Sequence, residues 1–317
     1  MYIGIDIGGT NLVAGLVDRE GGLGHKASCP VDRSWTPEEL VHQLAQLSLR
    51  AAREGNCPLG ELEGVGAGFP GLVDSPAGVV VKTTNMPFRN TPFRVLFQRE
   101  LDLPVYLGND ADCAAAGEYW AGAAKGYDPV LMITLGTGIG GGLVKGGKLY
   151  TGFGGAGLEA GHMLTHPGGE PCGCGNRGCW ERYGSATALI QQTRAAMEAH
   201  RDSALWEVCG GDLAKVEGRT PFQAARQGDQ TALQVLERYQ RELAYGLIGL
   251  CNVLFPEVIC MGGGVSGADR DLLLGPVEEL VRQGCFDKEH PPKLVKASLG
   301  NDAGVVGAAM LCRMGEG

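Results

Sequence analysis

Three short glycine-rich segments, each directly after an apolar run, constrain what this chain can fold into. They are Asp6–Thr10, Gly136–Gly141 and Gly262–Gly264, and the 53 glycines of the 317-residue chain gather in runs of this kind. Glycine lets backbone N–H groups approach a phosphate without an intervening Cβ, and a threonine hydroxyl adds a donor. Each segment alone also fits an ordinary hairpin turn, and none matches the Walker sequence or the full dinucleotide fingerprint. The set of three favours phosphate-binding turns.

Apolar strands and amphipathic helices alternate along the chain, which indicates an α/β fold. Two strands are expected within 2–18, and others near 23–28, 64–68, 104–107, 130–135 and 258–261. Residues 136–142 are expected to form a turn before a returning strand at 143–144. Helices are expected at 37–53, with Thr36 as the cap, and at 110–120, 186–200, 221–227, 231–255 and about 302–314.

The strand, glycine-threonine turn and strand occur once near the start of the chain and again in its middle. Such a repetition predicts two related lobes. We expect a small N-terminal lobe made of residues 1–110 and about 302–317, and a large C-terminal lobe made of residues 111–301. The segment 200–219 matches no motif.

Charge and hydropathy narrow the functional classes. The net charge of −9 argues against a broad surface for DNA, although a nucleotide with its own magnesium remains acceptable. No stretch approaches the roughly 18 apolar residues that a membrane-spanning helix requires. The first residues run straight into a strand, so we expect a cytoplasmic protein without a leader, a membrane contact or a nucleic-acid partner.

Three of the 11 cysteines crowd into the sequence CGCGNRGC as Cys172, Cys174 and Cys179, and His162 precedes them by ten residues. Three thiolates and one imidazole make a closed tetrahedral set for zinc, and the intervening glycines let the backbone fold around the ion. A closed set predicts a structural metal. The other eight cysteines are scattered and are expected to be reduced residues, mostly in the core.

Asn109 and Asp110 lie between an expected strand and an alanine-rich helix, where functional side chains are often displayed. Asn109 alone also fits a helix cap. The segments GAGFPG, at 66–71, and TTNMP, which contains Asn85, read as ordinary turns when taken by themselves.

Together these motifs resemble the sugar kinases of the actin-like ATPase superfamily, and most closely the ROK family (repressors, open reading frames and kinases), over nearly the whole chain. The resemblance implies a two-lobed actin-like ATPase (ribonuclease H-like) fold with a ligand cleft between the lobes. It makes the three glycine segments two phosphate loops and an adenosine motif. The implied nucleotide-binding residues are Asp6, Gly8, Gly9, Thr10, Asn11, Gly136, Thr137, Gly138, Gly262, Gly263 and Gly264.

The resemblance also assigns the sugar site. The implied sugar-binding residues are Gly68, Asn85, Asn109, Asp110, Glu159, His162 and Glu181. Asp110 matches the general base that accepts the proton of the attacking hydroxyl. Magnesium is expected to be held by the phosphates with help from Asp6, and the zinc-bound ring of His162 is expected to aim its other nitrogen at a sugar hydroxyl.

The predicted activity is an ATP-dependent transfer to the 6-hydroxyl of a hexose, with glucose preferred. Kinases for N-acetylmannosamine or another N-acetylhexosamine, for fructose or for allose use the same motifs and remain alternatives. A sugar-responsive repressor of the family would need a DNA-reading domain before Asp6, and a zinc-ribbon interaction module does not suit so long and acidic a chain. The family also implies a homodimer or homotetramer.

Overall fold

The computed structural model of the protein describes residues 1–83 and 86–315, so the predicted sugar-binding residue Asn85 lies outside the described residues. The strands are β1 (Tyr2–Ile7), β2 (Asn11–Val17), β3 (Leu23–Pro30), β4 (Gly64–Phe69), β5 (Gly71–Asp74), β6 (Val79–Thr83), β7 (Arg89–Thr91), β8 (Val105–Asn109), β9 (Val130–Leu135), β10 (Ile139–Lys145), β11 (Lys148–Leu149), β12 (Val258–Gly262) and β13 (Lys293–Lys296). The α-helices are α1 (Pro37–Glu54), α2 (Phe93–Glu100), α3 (Asp110–Ala121), α4 (Glu181–Gly184), α5 (Ala186–Ala199), α6 (Leu205–Val208), α7 (Thr220–Arg226), α8 (Gln230–Leu254), α9 (Leu274–Gly284) and α10 (Ala303–Met314). Within the described ranges, none of these helices is both long and apolar enough to cross a bilayer.

The predicted α/β class is confirmed, and the predicted strands and helices occur with small shifts at their ends. One difference concerns the second glycine turn, where β10 already begins at Ile139. The turn is therefore shorter than predicted, because Gly140, Gly141 and Gly142 lie in the strand.

The first sheet has the strand order β3-β2-β1-β4-β8. Its strands β1, β4 and β8 run parallel, and their registers place Asp6 beside Gly68 and Phe69 beside Asn109. The carboxyl ends of parallel strands meet at one edge, which is where open α/β sheets bind ligands. Four of the predicted site residues, Asp6, Gly68, Asn109 and Asp110, therefore lie close together on this edge.

Two further sheets complete the strand arrangement. One has the order β11-β10-β9-β12-β13, in which β12 and β13 are parallel, and the other has the order β5-β6-β7 and is antiparallel.

Helix α1 begins with the local signals that its sequence contains. The Thr36 hydroxyl accepts a hydrogen bond from the Glu39 amide, and the Glu39 carboxylate accepts one from the Thr36 amide. This capping box satisfies two donors that the helix itself leaves free. Leu40, Val41 and Leu44 are buried on the same face, so the helix covers the core of the first sheet.

The chain divides into two compact units. Unit 1 contains residues 1–132, 142–158 and 297–317, and unit 2 contains residues 133–141 and 159–296. The predicted boundary at residue 110 differs from this division, since α3 packs against α10 inside unit 1.

Helix α10 packs on the first sheet with its backbone almost touching two strands. A Cβ on Gly4 of β1 would overlap the carbonyl oxygen of Val305, and a Cβ on Gly66 of β4 would overlap that of Ala308. Only glycine permits this approach. The contact completes the core of unit 1 from the last part of the described chain.

Candidate active site

The first group of predicted site residues lies in unit 1, at the sheet edge described above. Asn109 ends β8, and its side-chain oxygen accepts a hydrogen bond from the Asp112 amide at 2.6 Å, so it caps α3. Asp110 is the first residue of α3, and its Oδ1 accepts from the Ala111 amide at 2.9 Å. The cap fixes where α3 begins and so orients the solvent-accessible Asp110 carboxylate.

Two carboxylates at this edge have raised pKa values. Burial raises the pKa of Asp6, and the negative charge of Asp110 raises it further. The surrounding protein also raises the pKa of Asp110 by excluding water from its carboxylate, although hydrogen bonds from backbone amides partly oppose the shift. A cation or a proton at this edge would therefore be stabilised.

The first glycine turn joins β1 to β2 beside these carboxylates. The Gly8 amide donates to the Asn11 carbonyl at 3.0 Å, and Thr10 and Asn11 are exposed. On the other side, a Cβ on Gly304 of α10 would lie 2.7 Å from the carboxyl carbon of Asp6. The start of α10 therefore packs directly against Asp6.

The second group of site residues lies in unit 2 and centres on the predicted metal ligands. The ligand atoms of His162, Cys172, Cys174 and Cys179 all lie within 4.8 Å of one another. The pairs His162 Nδ1–Cys172 Sγ and Cys174 Sγ–Cys179 Sγ are each separated by 3.6 Å. Tetrahedral zinc with bonds of about 2.3 Å to sulfur requires about 3.8 Å between thiolates. The donors and their spacing therefore fit zinc.

His162 turns its Nδ1 toward this cluster, which leaves Nε2 for another partner. Its amide donates to the Glu159 carbonyl at 3.0 Å, within a 3-10 turn at Ala160–His162. The turn brings the backbones of Glu159 and His162 into contact.

Glu181 lies between the metal ligands and the second glycine turn. Its Oε1 is 3.1 Å from Cys172 Sγ and 3.8 Å from His162 Nδ1. Its Oε2 occupies the space that a Cβ on Gly138 would take. One carboxylate thus contacts both the metal cluster and the predicted phosphate loop.

A cavity of about 670 Å³ lies beside the second glycine turn, entirely within unit 2. Its walls include Gly136 and Thr137 of that turn, Gly264 and Val265 after β12, and the segment from Glu217 to Arg226 around α7. Gly262 ends β12, and Gly263 has a φ of +87°, where a Cβ would overlap the Leu135 backbone. The left-handed Gly263 therefore brings the third glycine segment against β9.

Sequence reasoning missed one wall of this cavity. The residues Glu217, Gly218, Arg219, Phe222 and Arg226 line it, although no motif marks this part of the chain. Only the short helix at 221–227 could be predicted from the local sequence. The rest of this cavity wall forms through tertiary contacts.

One known protein family matches nearly the whole of this chain. The protein-family model described as ROK family matches residues 2–314. A glucokinase of Streptomyces coelicolor is 38% identical over 99% of this chain and 98% of its own length.

Two solved structures resemble the fold over almost the whole of both chains. A ROK family glucokinase from Streptomyces griseus, in complex with glucose and AMPPNP, superposes with a TM-score of 0.80 at 36% identity and covers 98% of this chain and 99% of its own. A ROK hexokinase from Thermus thermophilus superposes with a TM-score of 0.83 at 33% identity and covers 100% and 99%.

Proposed function

This chain belongs to the ROK family and is a sugar kinase with the actin-like ATPase fold, and on that premise we propose that it transfers the γ-phosphoryl group of ATP to the 6-hydroxyl of glucose. The name of the Streptomyces coelicolor relative and the ligands of the Streptomyces griseus structure support glucose and ATP. The single observation that carries the chemistry is the Asp110 carboxylate at the carboxyl edge of β1, β4 and β8.

Asp110 is proposed as the general base. Phosphoryl transfer requires a hydroxyl oxygen directed at the γ-phosphorus and an acceptor for its proton. Asp110 is solvent-accessible and carries a raised pKa, so its carboxylate is a better proton acceptor than an ordinary aspartate. The oxygen of the neighbouring Asn109 amide caps α3, and its N–H groups have no hydrogen-bond partner among the described residues, so they can donate to a sugar hydroxyl.

The 670 Å³ cavity is proposed as the adenosine site. Thr137 at its edge presents a hydroxyl to phosphate oxygens, whereas the Gly136 amide already donates to the Gly138 carbonyl at 3.0 Å. Phe222 and Val265 supply apolar walls for a base. The carboxylate of Asp6 would assist a nucleotide-bound magnesium ion, which neutralises charge on the transferring phosphate.

His162, Cys172, Cys174 and Cys179 are proposed to hold a structural zinc ion, which would fix the ring of His162 by binding Nδ1. The Nε2–H group of that ring would then donate to a sugar hydroxyl, while Glu159 and Glu181 accept hydrogen bonds from others. Gly68 and Asn85 complete the proposed sugar site.

The proposal is tested with a coupled assay across glucose, N-acetylmannosamine, N-acetylglucosamine, fructose and allose, together with the Asp110→Asn variant. Asparagine keeps the oxygen that accepts from Ala111, so the fold should persist while kcat falls about 10²- to 10⁴-fold. Asp102→Asn, at an exposed aspartate before β8, is the matched control.

A kcat of Asp110→Asn close to that of the unaltered protein would refute Asp110 as the base. A higher kcat/KM for one of the other four sugars would refute glucose as the preferred substrate and identify the alternative.

A further inference from the structure

The Glu181 carboxylate belongs to a helix that cannot hold itself in place. Helix α4 is a single turn of four residues, and so short a helix has little stability of its own in water. Glu181 nevertheless contacts both Cys172 and the space beside Gly138. Something outside α4 must fix its position.

The preceding residue, Trp180, supplies that anchor. Its side chain is fully buried, and its indole N–H donates to the Glu242 carbonyl of α8 at 2.8 Å. Its backbone amide donates to the Met163 carbonyl at 2.8 Å. The end of α4 is also tied to α8, because the Tyr239 hydroxyl donates to the Gly184 carbonyl at 2.8 Å.

Helix α8 has a notch for the indole at Gly246. A Cβ on Gly246 would overlap three atoms of the Trp180 ring. Glycine in the interior of a 25-residue helix costs stability relative to alanine, so its presence here needs a packing reason. The ring of Trp180 lying against the bare backbone of α8 is that reason.

We propose that Trp180 seated on Gly246 is a positioning contact that fixes the Glu181 carboxylate for hydrogen bonding to the sugar. This inference rests on the proposed sugar-kinase function. Neither residue touches a substrate. Trp180 directly precedes Glu181, so a displaced indole displaces the first residue of α4, and a charge-assisted hydrogen bond to the sugar loses its alignment.

The test compares two glycine-to-alanine substitutions on the same helix. Gly246→Ala introduces the overlap with Trp180, whereas Gly249→Ala places its methyl group 3.5 Å from Met163, an ordinary contact. Both favour helix formation equally. We expect Gly246→Ala to raise KM for glucose about tenfold, with KM for ATP and the zinc content unchanged, and Gly249→Ala to change none of these values.

A second substitution acts on the other side of the contact. Trp180→Phe alone loses the hydrogen bond to Glu242 and should raise KM for glucose by about threefold to fivefold, which tests the proposal even if Gly246→Ala does not fold.

The proposal is overturned if KM for glucose and KM for ATP rise together, or if zinc is lost along with sugar affinity. An unchanged KM for glucose in Gly246→Ala or in Trp180→Phe would also overturn it. Failure of the proposed function would appear differently, as absence of glucose phosphorylation by the unaltered protein.

Discussion

The carboxylates of Asp6 and Asp110 both have raised pKa values, which lower the stability of the folded protein when the carboxylates are ionised. Partial exclusion of water by neighbouring protein atoms is the leading cause of the raised pKa in both, and Asp6 also experiences the charge of Asp110. An acid whose pKa is raised by folding binds its proton more tightly in the folded state. Its contribution to stability is therefore fully present below the unfolded pKa and is lost as the pH rises through the folded pKa.

The raised pKa of Asp110 predicts where activity fails in acid. A general base must be ionised, so kcat/KM for the hexose should fall as the pH drops through a value above 3.8, the ordinary pKa of aspartate. A pH profile of kcat/KM from about 8 down to about 4, limited to conditions in which the fold is retained, measures this limb. Full activity down to the ordinary aspartate value would contradict the prediction.

The raised pKa of Asp6 predicts a gain in stability when its charge is removed. Without nucleotide or magnesium, Asp6→Asn should raise Tm at neutral pH by about 1–2 °C, which corresponds to about 1 kcal/mol for a chain of this size. The gain should disappear below the unfolded pKa, where the aspartate is protonated in both states.

Asp32→Asn is the control for this measurement, because hydrogen bonds from Ser34 lower the pKa of Asp32 and its charge is favoured by folding. Thermal unfolding of both variants at several pH values should show opposite trends. An Asp6→Asn protein that is less stable at neutral pH would show that the Asp6 carboxylate is favourable in the fold.

Among the elements, those with local signals could be predicted and those defined by tertiary contacts could not. The Thr36 cap of α1 and the glycine turn after β1 are local, and both were expected from sequence. Helix α3 is rich in alanine on every side, so its sequence does not show which element it packs against. It packs on α10, and it therefore belongs to unit 1 and not to the predicted C-terminal lobe. The cavity wall from Glu217 to Arg226 has the same origin.

The candidate site likewise contains features that a local sequence pattern predicts and features that only tertiary contacts define. The compact cysteine sequence allowed the clustering of Cys172, Cys174 and Cys179 with His162 to be predicted. The contact of Glu181 with Gly138, and the packing of Trp180 on Gly246, join segments far apart in the chain, and no local pattern marks them.

The third glycine segment yields a prediction about nucleotide binding. Gly263→Ala forces a Cβ into the Leu135 backbone and should raise KM for ATP about tenfold, with a smaller effect on KM for glucose. Gly126→Ala is the control, because Gly126 has nearly the same φ, +88°, with open space around it. Steady-state kinetics for both substrates would contradict the prediction if the two variants behaved alike.

For the whole molecule, the division into units separates the metal cluster from the carboxylate edge along the chain. His162 and the three cysteines belong to unit 2, whereas Asp6 and Asp110 belong to unit 1. A metal that orders residues 162–181 should therefore act mainly on the sugar contacts of that segment.

Removal of the metal tests this division of roles. A chelator-treated protein should bind glucose at least about tenfold more weakly and ATP with little change, and added zinc should restore the affinity for glucose. Calorimetric titration with each ligand, beside circular dichroism to show that the fold persists, gives the comparison. Unchanged glucose affinity in folded, zinc-free protein would contradict a role for the metal in the sugar site.

The packing of α10 against Gly4 and Gly66 has a consequence for biosynthesis. The ribosome makes β1 and β4 early, but it makes α10 only after all of unit 2 has been translated. The bare backbone at Gly4 and Gly66 stays uncovered throughout that interval, so the N-terminal sheet cannot complete its packing before residues 303–314 have been made. Unit 2, whose residues all precede α10, has no such dependence and is able to mature first.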